Sequence, residues 1–105
     1  MKTTDEKKVL EWANVIMVAT KKSLSVSFGK ALALLQLANA LREGVVTFAY
    51  EKSDGSLRIA RGTLINVEKK VKGTRSESTS AFCYYDMEAK DFRSFKIENL
   101  VMMYA

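Results

Sequence analysis

Hydrophobic residues follow two different periods along this chain of 105 residues. In residues 1–44 they recur every three or four positions, which is the spacing of helices with an apolar side. From Val45 onward they alternate with polar residues, which is the spacing of strands. A chain of this length is typical of one domain. The pattern therefore predicts a single α+β domain over 1–105, with a helical hairpin at 1–44 and a sheet at 45–105.

The first predicted helix has one apolar stripe. Its start is placed at Thr4, because the acidic Asp5 and Glu6 suit the positive end of the helix dipole. Lys21 and Lys22 suit the C-terminal end for the opposite reason. The residues predicted to pack inward are Val9, Trp12, Ala13 and Ile16.

A second helix is predicted over 28–43. Ser27 is the expected N-cap, and Gly44 is expected to end the helix in a left-handed conformation. This helix has two apolar sides, whereas a surface helix needs only one. It should therefore be covered on both sides, either by the first helix and the sheet or at a dimer interface, and the sequence leaves both open. The two sides consist of Phe28, Leu32 and Leu35, and of Leu34, Leu37 and Leu41.

Five short strands follow, predicted at 45–50, 57–68, 81–86, 92–96 and 101–104. The Asp-Gly pair at 54–55 predicts a tight hairpin turn, because these residues accept positive φ angles. The alternation of the long second strand is broken near Gly62, which predicts a bulge or a bend. One helical turn at 97–100 precedes the last strand. Together these elements predict two N-terminal helices packed on a small five-stranded SH3/Sm-like β-barrel.

Residues suited to catalysis or metal binding are scarce. The chain has no histidine, which removes the commonest general base and most zinc sites. Asp86, Glu88 and Asp91 lie in or beside a predicted turn, where we expect solvated carboxylates. The single Cys83 is expected to be a small buried hydrophobe in a reducing compartment. We therefore expect no enzyme activity, no catalytic residues, no metal and no cofactor.

The formal net charge of the chain is +5. Such a field favours polyanionic partners, and it also keeps a small protein soluble. No uninterrupted apolar run approaches the roughly 20 residues that span a bilayer, and the N-terminus lacks the apolar centre of a secretory signal. We expect a cytoplasmic protein without a membrane partner.

Three segments, 46–64, 82–86 and 92–100, carry a family resemblance. An Asp-Gly hairpin is followed by Arg58, and an Arg-x-Phe pattern at 93–95 is followed by Leu100. These segments resemble the WYL group of domains, and most of all the small stand-alone WYL-like variety, WYL_2, of Bacteroides-type bacteria and their phages. The resemblance covers about residues 45–102.

The resemblance implies an SH3/Sm-like barrel. Larger WYL proteins are usually bacterial transcription regulators, whose barrel is thought to sense a ligand, often nucleic acid or a nucleotide, through basic residues. By position, these contacts fall on Arg58 and Arg93, while Asn99 stands where a late basic residue would be. The aromatic strand of the family falls on Phe82, Tyr84 and Tyr85.

Two functional hypotheses follow. In the first, a basic barrel face binds nucleic acid or a nucleotide, because arginine pairs with phosphate and exposed tyrosine stacks on bases. Other aromatic residues, Phe48, Phe82, Phe92 and Phe95, are expected to be packing residues. The predicted contacts are Arg58, Arg61, Tyr84, Arg93 and Lys96, and an auxiliary basic loop carries Lys69, Lys70, Lys72 and Arg75.

The second hypothesis is a protein-interaction or assembly module, encoded by a phage or another mobile element. Its partner would be a second copy or another protein, bound by the second helix or by the edge of the barrel. Salt separates the two hypotheses, because phosphate contacts weaken steeply as salt rises and apolar assembly does not.

Overall fold

The structure is a computed structural model that describes residues 3–65 and 80–104, with side-chain burial from residue 5 onward. Two helices are followed by five antiparallel strands, as the change of period predicts. The elements are α1 (Thr3–Thr20), α2 (Leu24–Glu43), β1 (Val46–Glu51), β2 (Leu57–Thr63), β3 (Ala81–Asp86), β4 (Asp91–Lys96), a single 3-10 turn (Ile97–Asn99) and β5 (Leu100–Met103).

Helix α1 packs by the predicted stripe. Its four apolar residues are buried, and Trp12 contacts the ring of Phe82 on β3 with the ring centroids 6.3 Å apart. Thr4 lies inside the first turn, so the helix extends one residue beyond the predicted start. The helix therefore covers the sheet at the end where β3 begins.

The start of α2 corrects the sequence prediction. The helix begins at Leu24, four residues early, because Ser23 is the cap and its side chain accepts a hydrogen bond from the Val26 N–H at 3.3 Å. Ser27 is instead buried inside the helix, and its Oγ has no hydrogen-bond partner among residues 3–65 and 80–104. The serine at position 23 caps a longer helix, which gives the chain an additional turn of backbone hydrogen bonds.

The end of α2 also differs in its geometry. The helix ends at Glu43 as predicted, but Gly44 has φ −179° and ψ −163°, which is extended backbone and not left-handed. Its N–H still closes the helix by donating to the carbonyl of Ala40 at 3.1 Å. Strand β1 begins only two residues later at Val46, so the chain must already be extended at Gly44.

Both apolar sides of α2 are covered within one molecule. Leu34, Leu37 and Leu41 are fully buried, and the residues of the other side, Phe28, Leu32 and Leu35, are partly buried against the same core. The helix packs on α1 and contacts β1, β2 and β5. Of the two alternatives that the sequence leaves open, the position between the first helix and the sheet accounts for this burial.

By length and composition alone, α2 would suffice to cross a membrane. Its sequence contains no long uninterrupted apolar run, because polar residues such as Lys30 and Gln36 lie between the apolar ones. A core helix of a water-soluble protein meets the same criterion, and α2 packs between α1 and the sheet.

The sheet has the strand order β4–β3–β2–β1–β5 and is not closed into a barrel, which corrects the prediction. Strands β2 and β3 pair at only two positions, Gly62 with Asp86 and Thr63 with Tyr85. Strand β5 has four residues, and within the described ranges it pairs with β1 and not with β4. A closed barrel leaves no edge strand, whereas β4 and β5 remain edges here.

Strand β2 ends earlier than the sequence predicts, at Thr63. The Leu64 N–H leaves the ladder and donates to the carbonyl of Leu41 at 2.9 Å. The Thr63 hydroxyl lies within hydrogen-bond distance of two carbonyl oxygens at the end of α2, that of Leu41 at 3.2 Å and that of Gly44 at 2.9 Å. The end of β2 is thus bound to the end of α2, and residues 66–68 of the predicted strand lie outside the described residues.

Gly62 interrupts the apolar alternation for a packing reason. It pairs in regular register with Val46 on one side and Asp86 on the other. A Cβ atom at this position would lie 2.6 Å from Cδ2 of Tyr84, which is far closer than ordinary contact. The register irregularity of β1 lies elsewhere, between Ala49 and Tyr50 in the pairing with β5. Glycine is required at position 62 because the tyrosine ring crosses its backbone.

Aromatic rings fill the side of the sheet that packs in the core with the helices, which we call the concave side; the opposite side is called the convex side. Phe48 meets Tyr84 edge to face at 4.9 Å, and Tyr50 stacks on Phe95 at 4.7 Å with 18° between the rings. Phe82 stacks on Phe95 as well, at 5.4 Å. These contacts confirm the core assignment of three of the four predicted phenylalanines. Two other residues are only partly buried: Phe92, which meets Tyr85 at 5.5 Å, and Cys83, which was expected to be buried.

Candidate functional site

A pocket of about 470 Å³ opens where the β1–β2 hairpin faces β4. This volume lies in the range of pockets that hold one small ligand, roughly 300–1,000 Å³. Strand β1, the hairpin turn and β2 supply one side, and β4 with the 3-10 turn supplies the other. The lining residues are Tyr50, Glu51, Lys52, Ser53, Asp54, Arg58, Arg93, Ser94, Phe95, Lys96 and Asn99.

The hairpin turn on one side of the pocket has the predicted geometry. Gly55 has φ 87°, the positive angle for which glycine is suited, and its N–H donates to the carbonyl of Lys52 at 2.9 Å. Oδ1 of Asp54 accepts hydrogen bonds from the N–H of Ser56 at 2.9 Å and from its hydroxyl at 2.6 Å. This tight turn places Lys52 and Asp54 at the mouth of the pocket.

Three of the five predicted contact residues meet in this pocket: Arg58, Arg93 and Lys96. Arg58 and Lys96 are 38 residues apart in sequence, and the sheet brings their strands to a common opening. Lys52 adds a fourth cation that the sequence analysis did not select. Lys52 lies at the start of the same Asp-Gly hairpin loop that Arg58 follows, and this position was the signal that could have identified it. Asn99, at the late position of the family pattern, also lines the pocket.

Arg61 and Tyr84 lie elsewhere. Arg61 is exposed and pairs with Thr47, whereas Arg58 pairs with Tyr50 on the concave side, because residues three apart on a strand point to opposite faces. Tyr84 is fully buried, so the expectation of an exposed stacking tyrosine is wrong. The auxiliary loop residues, Lys69, Lys70, Lys72 and Arg75, lie outside the described residues.

Below the pocket, Arg58 forms an ion pair with a buried carboxylate. Its Nη2 donates to Oδ2 of Asp86 at 2.5 Å, and the side chain of Asp86 is fully buried. Asp86 was expected to be a solvated turn residue, and the structure corrects this. Its other oxygen, Oδ1, accepts the backbone N–H groups of Glu88 and Ala89, each at 2.9 Å. The turn after β3 thus wraps around the carboxylate instead of exposing it.

Two tyrosine hydroxyls complete this network. The hydroxyl of Tyr84 lies 3.0 Å from that of Tyr50 and donates to Oδ2 of Asp86 at 3.4 Å. Burial, together with the Tyr50 hydroxyl, raises the pKa of Tyr84 well above its ordinary value. Burial by itself would raise the pKa of Asp86, but the Ala89 N–H and the Arg58 guanidinium outweigh it and hold that pKa below the ordinary value. At neutral pH the network therefore contains a neutral tyrosine and an ionised aspartate.

Arg58 is consequently a fixed cation at the floor of the pocket. Its hydrogen bond to Asp86 raises the pKa of the guanidinium further above its ordinary value. About a third of the side chain, 32%, is exposed, and this part faces the opening. The Nε atom is buried and has no hydrogen-bond partner within the described ranges. The guanidinium is oriented from beneath and keeps donor capacity for a ligand.

Arg93 is held more loosely than Arg58. Its Nη1 lies 3.4 Å from Oδ2 of Asp91 and donates to the carbonyl of Phe92 at 2.9 Å, and both members of the ion pair are largely exposed. Exposed pairs of this type contribute only about 0–1 kcal/mol. Arg93 can therefore exchange its intramolecular partner for a ligand at small cost.

The charges around the pocket are unevenly distributed. The β4 side carries two cations, Arg93 and Lys96, whereas the hairpin turn carries Lys52 together with the carboxylates of Glu51 and Asp54. Hydrogen bonds from Ser56 hold the pKa of Asp54 below its ordinary value, so it is ionised at neutral pH. A ligand here would meet two cations on the β4 side and a mixed set, two carboxylates with one ammonium group, at the hairpin turn.

The family model for WYL_2, described as an Sm-like SH3 β-barrel fold, matches residues 34–101, which is more than half of the chain. The chain belongs to the WYL_2 family. It is also similar to an uncharacterised 11.5 kDa protein from the Gp31–cd intergenic region of Enterobacteria phage T4, with 33% identity over 72 residues that cover 62% of this chain and 71% of that protein. No solved structure matches the chain.

These findings confirm the resemblance that the sequence analysis found. The matched segment begins inside α2, earlier than the predicted 45–102, and ends in β5. The similarity to a phage protein supports the predicted link to phages. The family therefore defines a small module with an SH3/Sm-like fold, built here as an open sheet covered by two helices.

Proposed function

We propose that this protein is a small intracellular binding module, without catalytic activity, that recognises a nucleotide or nucleic acid through the pocket between the β1–β2 hairpin and β4. The observation that carries the proposal is that four cationic residues, Arg58, Arg93, Lys96 and Lys52, line the same opening. Phosphate is the group best matched by such a set, because guanidinium groups pair with it bidentately and ammonium groups add charge.

The buried network below Arg58 supports the same proposal. A free arginine loses side-chain entropy when a ligand fixes it, and each immobilised side chain costs about 0.5–1.5 kcal/mol. The bond to Asp86 already fixes Arg58 in the free protein, and Tyr84 supports the carboxylate. Arg58 is thus prepared for an anion, and Arg93 and Lys96 supply adaptable charge beside it.

A salt titration of binding tests the proposal. Fluorescent single-stranded DNA and RNA pools are mixed with the protein at increasing salt, and anisotropy is recorded. We expect binding that weakens steeply with salt and that is lost when Arg93→Ala and Lys96→Ala are combined, since both residues are exposed and their removal leaves the fold intact. Arg61→Ala, an exposed arginine on the opposite face, is the matched control and should bind as the wild type does.

The outcome that contradicts the proposal is equally defined. If the wild type binds neither pool at low salt, and does not bind mononucleotides in calorimetry, the nucleotide and nucleic-acid reading fails. If Arg61→Ala weakens binding as much as the pocket variant does, the contact surface is not the pocket.

A second candidate function, protein interaction or assembly, is favoured by the convex face of the sheet. Ile59, Ala49 and Met102 are register partners across β2, β1 and β5, and the side chains of Ile59 and Met102 are about half exposed. Leu57 and Val101 are exposed nearby. Because both apolar sides of α2 are covered within the molecule, we propose this face and the β5 edge as the surfaces that an assembly would use.

Sedimentation at high salt tests this second function. Assembly through the convex face should persist at high salt and should be lost in Ile59→Lys, while Arg61→Ala on the same face stays assembled. This second function is contradicted if the protein is a monomer at all concentrations and Ile59→Lys weakens no interaction with another protein.

A further inference from the structure

We infer that the pocket binds a terminal phosphate group on a ligand of nucleotide size, in preference to the internal phosphodiesters of a continuous strand. The inference rests on the proposed function and names the ligand class of the same pocket. A terminal phosphate belongs either to a free nucleotide or to the end of a strand, and the experiment below separates these two sources.

Among the residues that the structure describes, the cations that line the pocket do not continue as a track along the sheet. A protein that tracks a strand without sequence preference lines a groove with cations along several nucleotides. Here the cations of β2 are divided between the two faces of the sheet, with Arg58 in the pocket and Arg61 on the opposite side. Within the described residues, Arg58 thus adds its charge to the pocket and Arg61 does not. The pocket has a volume of about 470 Å³, which is room for one nucleotide-sized ligand.

The pocket has an acidic rim, which we define as Glu51 and Asp54. Both carboxylates are exposed and lie on the hairpin side, opposite the cations of β4. The same turn carries Lys52, but with two carboxylates against one ammonium its formal charge is −1. A strand that continues past the pocket on this side would therefore bring its next phosphate towards net negative charge, which is unfavourable. A ligand that ends in the pocket avoids this repulsion, and its sugar hydroxyls or base amino groups could donate to the rim instead.

The aromatic rings that line the pocket are buried. Tyr50 and Phe95 are the aromatic residues in the lining, and each is only 5% exposed because they stack on each other. Binding of successive bases requires open ring faces, and these two rings offer none. Recognition must then come from charge and hydrogen bonds at a single phosphate. A terminal phosphate carries up to two negative charges, against one for a phosphodiester, and matches Arg58 and Arg93 better.

The test compares strands that differ only at their ends. One oligonucleotide is prepared with a 5′-phosphate, with a 3′-phosphate, with hydroxyls at both ends, and as a closed circle, and each form competes for the protein at fixed salt. We expect at least one phosphorylated form to bind ten-fold or more tightly than the hydroxyl and circular forms. A nucleoside monophosphate that competes as strongly identifies the free nucleotide as the ligand source, and one that competes ten-fold more weakly identifies the strand end.

A charge-matched pair of variants tests the acidic rim. Glu51→Gln with Asp54→Asn removes the rim and should raise the affinity for the circular strand several-fold. Glu6→Gln with Glu43→Gln removes two exposed carboxylates of α1 and α2, outside the pocket lining, and should leave the preference for a terminal phosphate unchanged. Asparagine at 54 keeps the side-chain oxygen that accepts from Ser56, so the turn is retained.

Two results have distinct meanings. Equal binding of the circular, hydroxyl and phosphorylated forms overturns this inference and leaves the proposed function standing. If no form and no mononucleotide binds at low salt, the proposed function fails and the inference fails with it.

Discussion

Two arginines on β2, three residues apart, are placed in opposite environments. Arg58 lies on the concave side, where it pairs with the fully buried Asp86 and lines the pocket. Arg61 lies on the convex side and is exposed near Ile59. The difference teaches that the pleat of the strand, more than the residue type, decides which basic residue becomes part of a site. On the concave side Arg58 belongs to a buried hydrogen-bond network beside the aromatic core, whereas on the convex side Arg61 lies among exposed side chains.

Of the substitutions that test this comparison, Asp86→Asn on the concave side is expected to reduce stability most. The variant removes the charge that balances Arg58 in the buried network, and breaking a buried pair in this way costs about 3–5 kcal/mol. Because Arg58 is partly exposed, we expect a loss of about 3 kcal/mol in the free energy of unfolding. Urea denaturation measures it. Asp91→Asn, which breaks the exposed pair with Arg93, is the control and should change stability by less than about 0.5 kcal/mol.

Acid should act on the same carboxylate. The folded-state pKa of Asp86 is lowered, so its contribution to stability is fully present above the unfolded value near 3.8 and is lost as pH falls through the folded pKa. Wild-type stability should therefore fall in acid below that unfolded value, and the curve of Asp86→Asn should be flatter there. Parallel curves for the two proteins would show that Asp86 is not the group responsible.

A smaller effect, about 2 kcal/mol of destabilisation, is expected from Gly62→Ala. The added methyl group would lie 2.6 Å from the ring of Tyr84, so the ring and the hydrogen bonds of its hydroxyl must shift. Gly29→Ala is the matched control. A Cβ atom added at this position would meet no atom within 4 Å outside the adjoining helix backbone, and alanine favours the helix by about 0.5–1 kcal/mol. Thermal denaturation of both variants should give shifts of opposite sign.

Removal of one hydroxyl should have a still smaller effect. Tyr84→Phe leaves the hydroxyl of Tyr50 without its partner at 3.0 Å, and a lost hydrogen bond of this kind costs about 1 kcal/mol. Tyr50→Phe and the double variant complete a thermodynamic cycle, which should show coupling between the two residues. Additive losses in that cycle would mean that the two hydroxyls do not support each other.

The smallest effect is expected on the convex side. Arg61→Ala removes an exposed side chain with no ion pair described for it, so stability should change by less than about 0.5 kcal/mol. Binding to phosphate ligands should also be unchanged. A loss of affinity in this variant would mean that the two faces of β2 do not differ as the pocket suggests.

The sequence predicts the periodic parts of this fold well. The inward stripe of α1, the two apolar sides of α2 and the bounds of β3 all follow from the spacing of hydrophobic residues, which local geometry imposes. Arg58 and Arg93 were both selected from the sequence through the family resemblance, and both line the pocket.

Features that depend on contacts between distant elements were not predictable from spacing. Asp86 looks like an ordinary turn residue until Arg58 is placed beside it, and Tyr84 looks like a surface aromatic until Gly62 opens the space for its ring. The choice of Ser23 over Ser27 as the cap of α2 is decided by which serine the core buries. In these three cases the environment of the residue is made by elements remote in sequence.

The bond between Leu64 and the carbonyl of Leu41 has a consequence for how the protein unfolds. The last turn of α2 and the end of β2 share donors and acceptors, so neither can open without leaving polar backbone groups unpaired. A variant that begins at residue 45 would lack the carbonyls of Leu41 and Gly44, which accept the hydrogen bonds of Thr63 and Leu64. We therefore expect the amide hydrogens of these two elements to exchange with solvent as one cooperative unit.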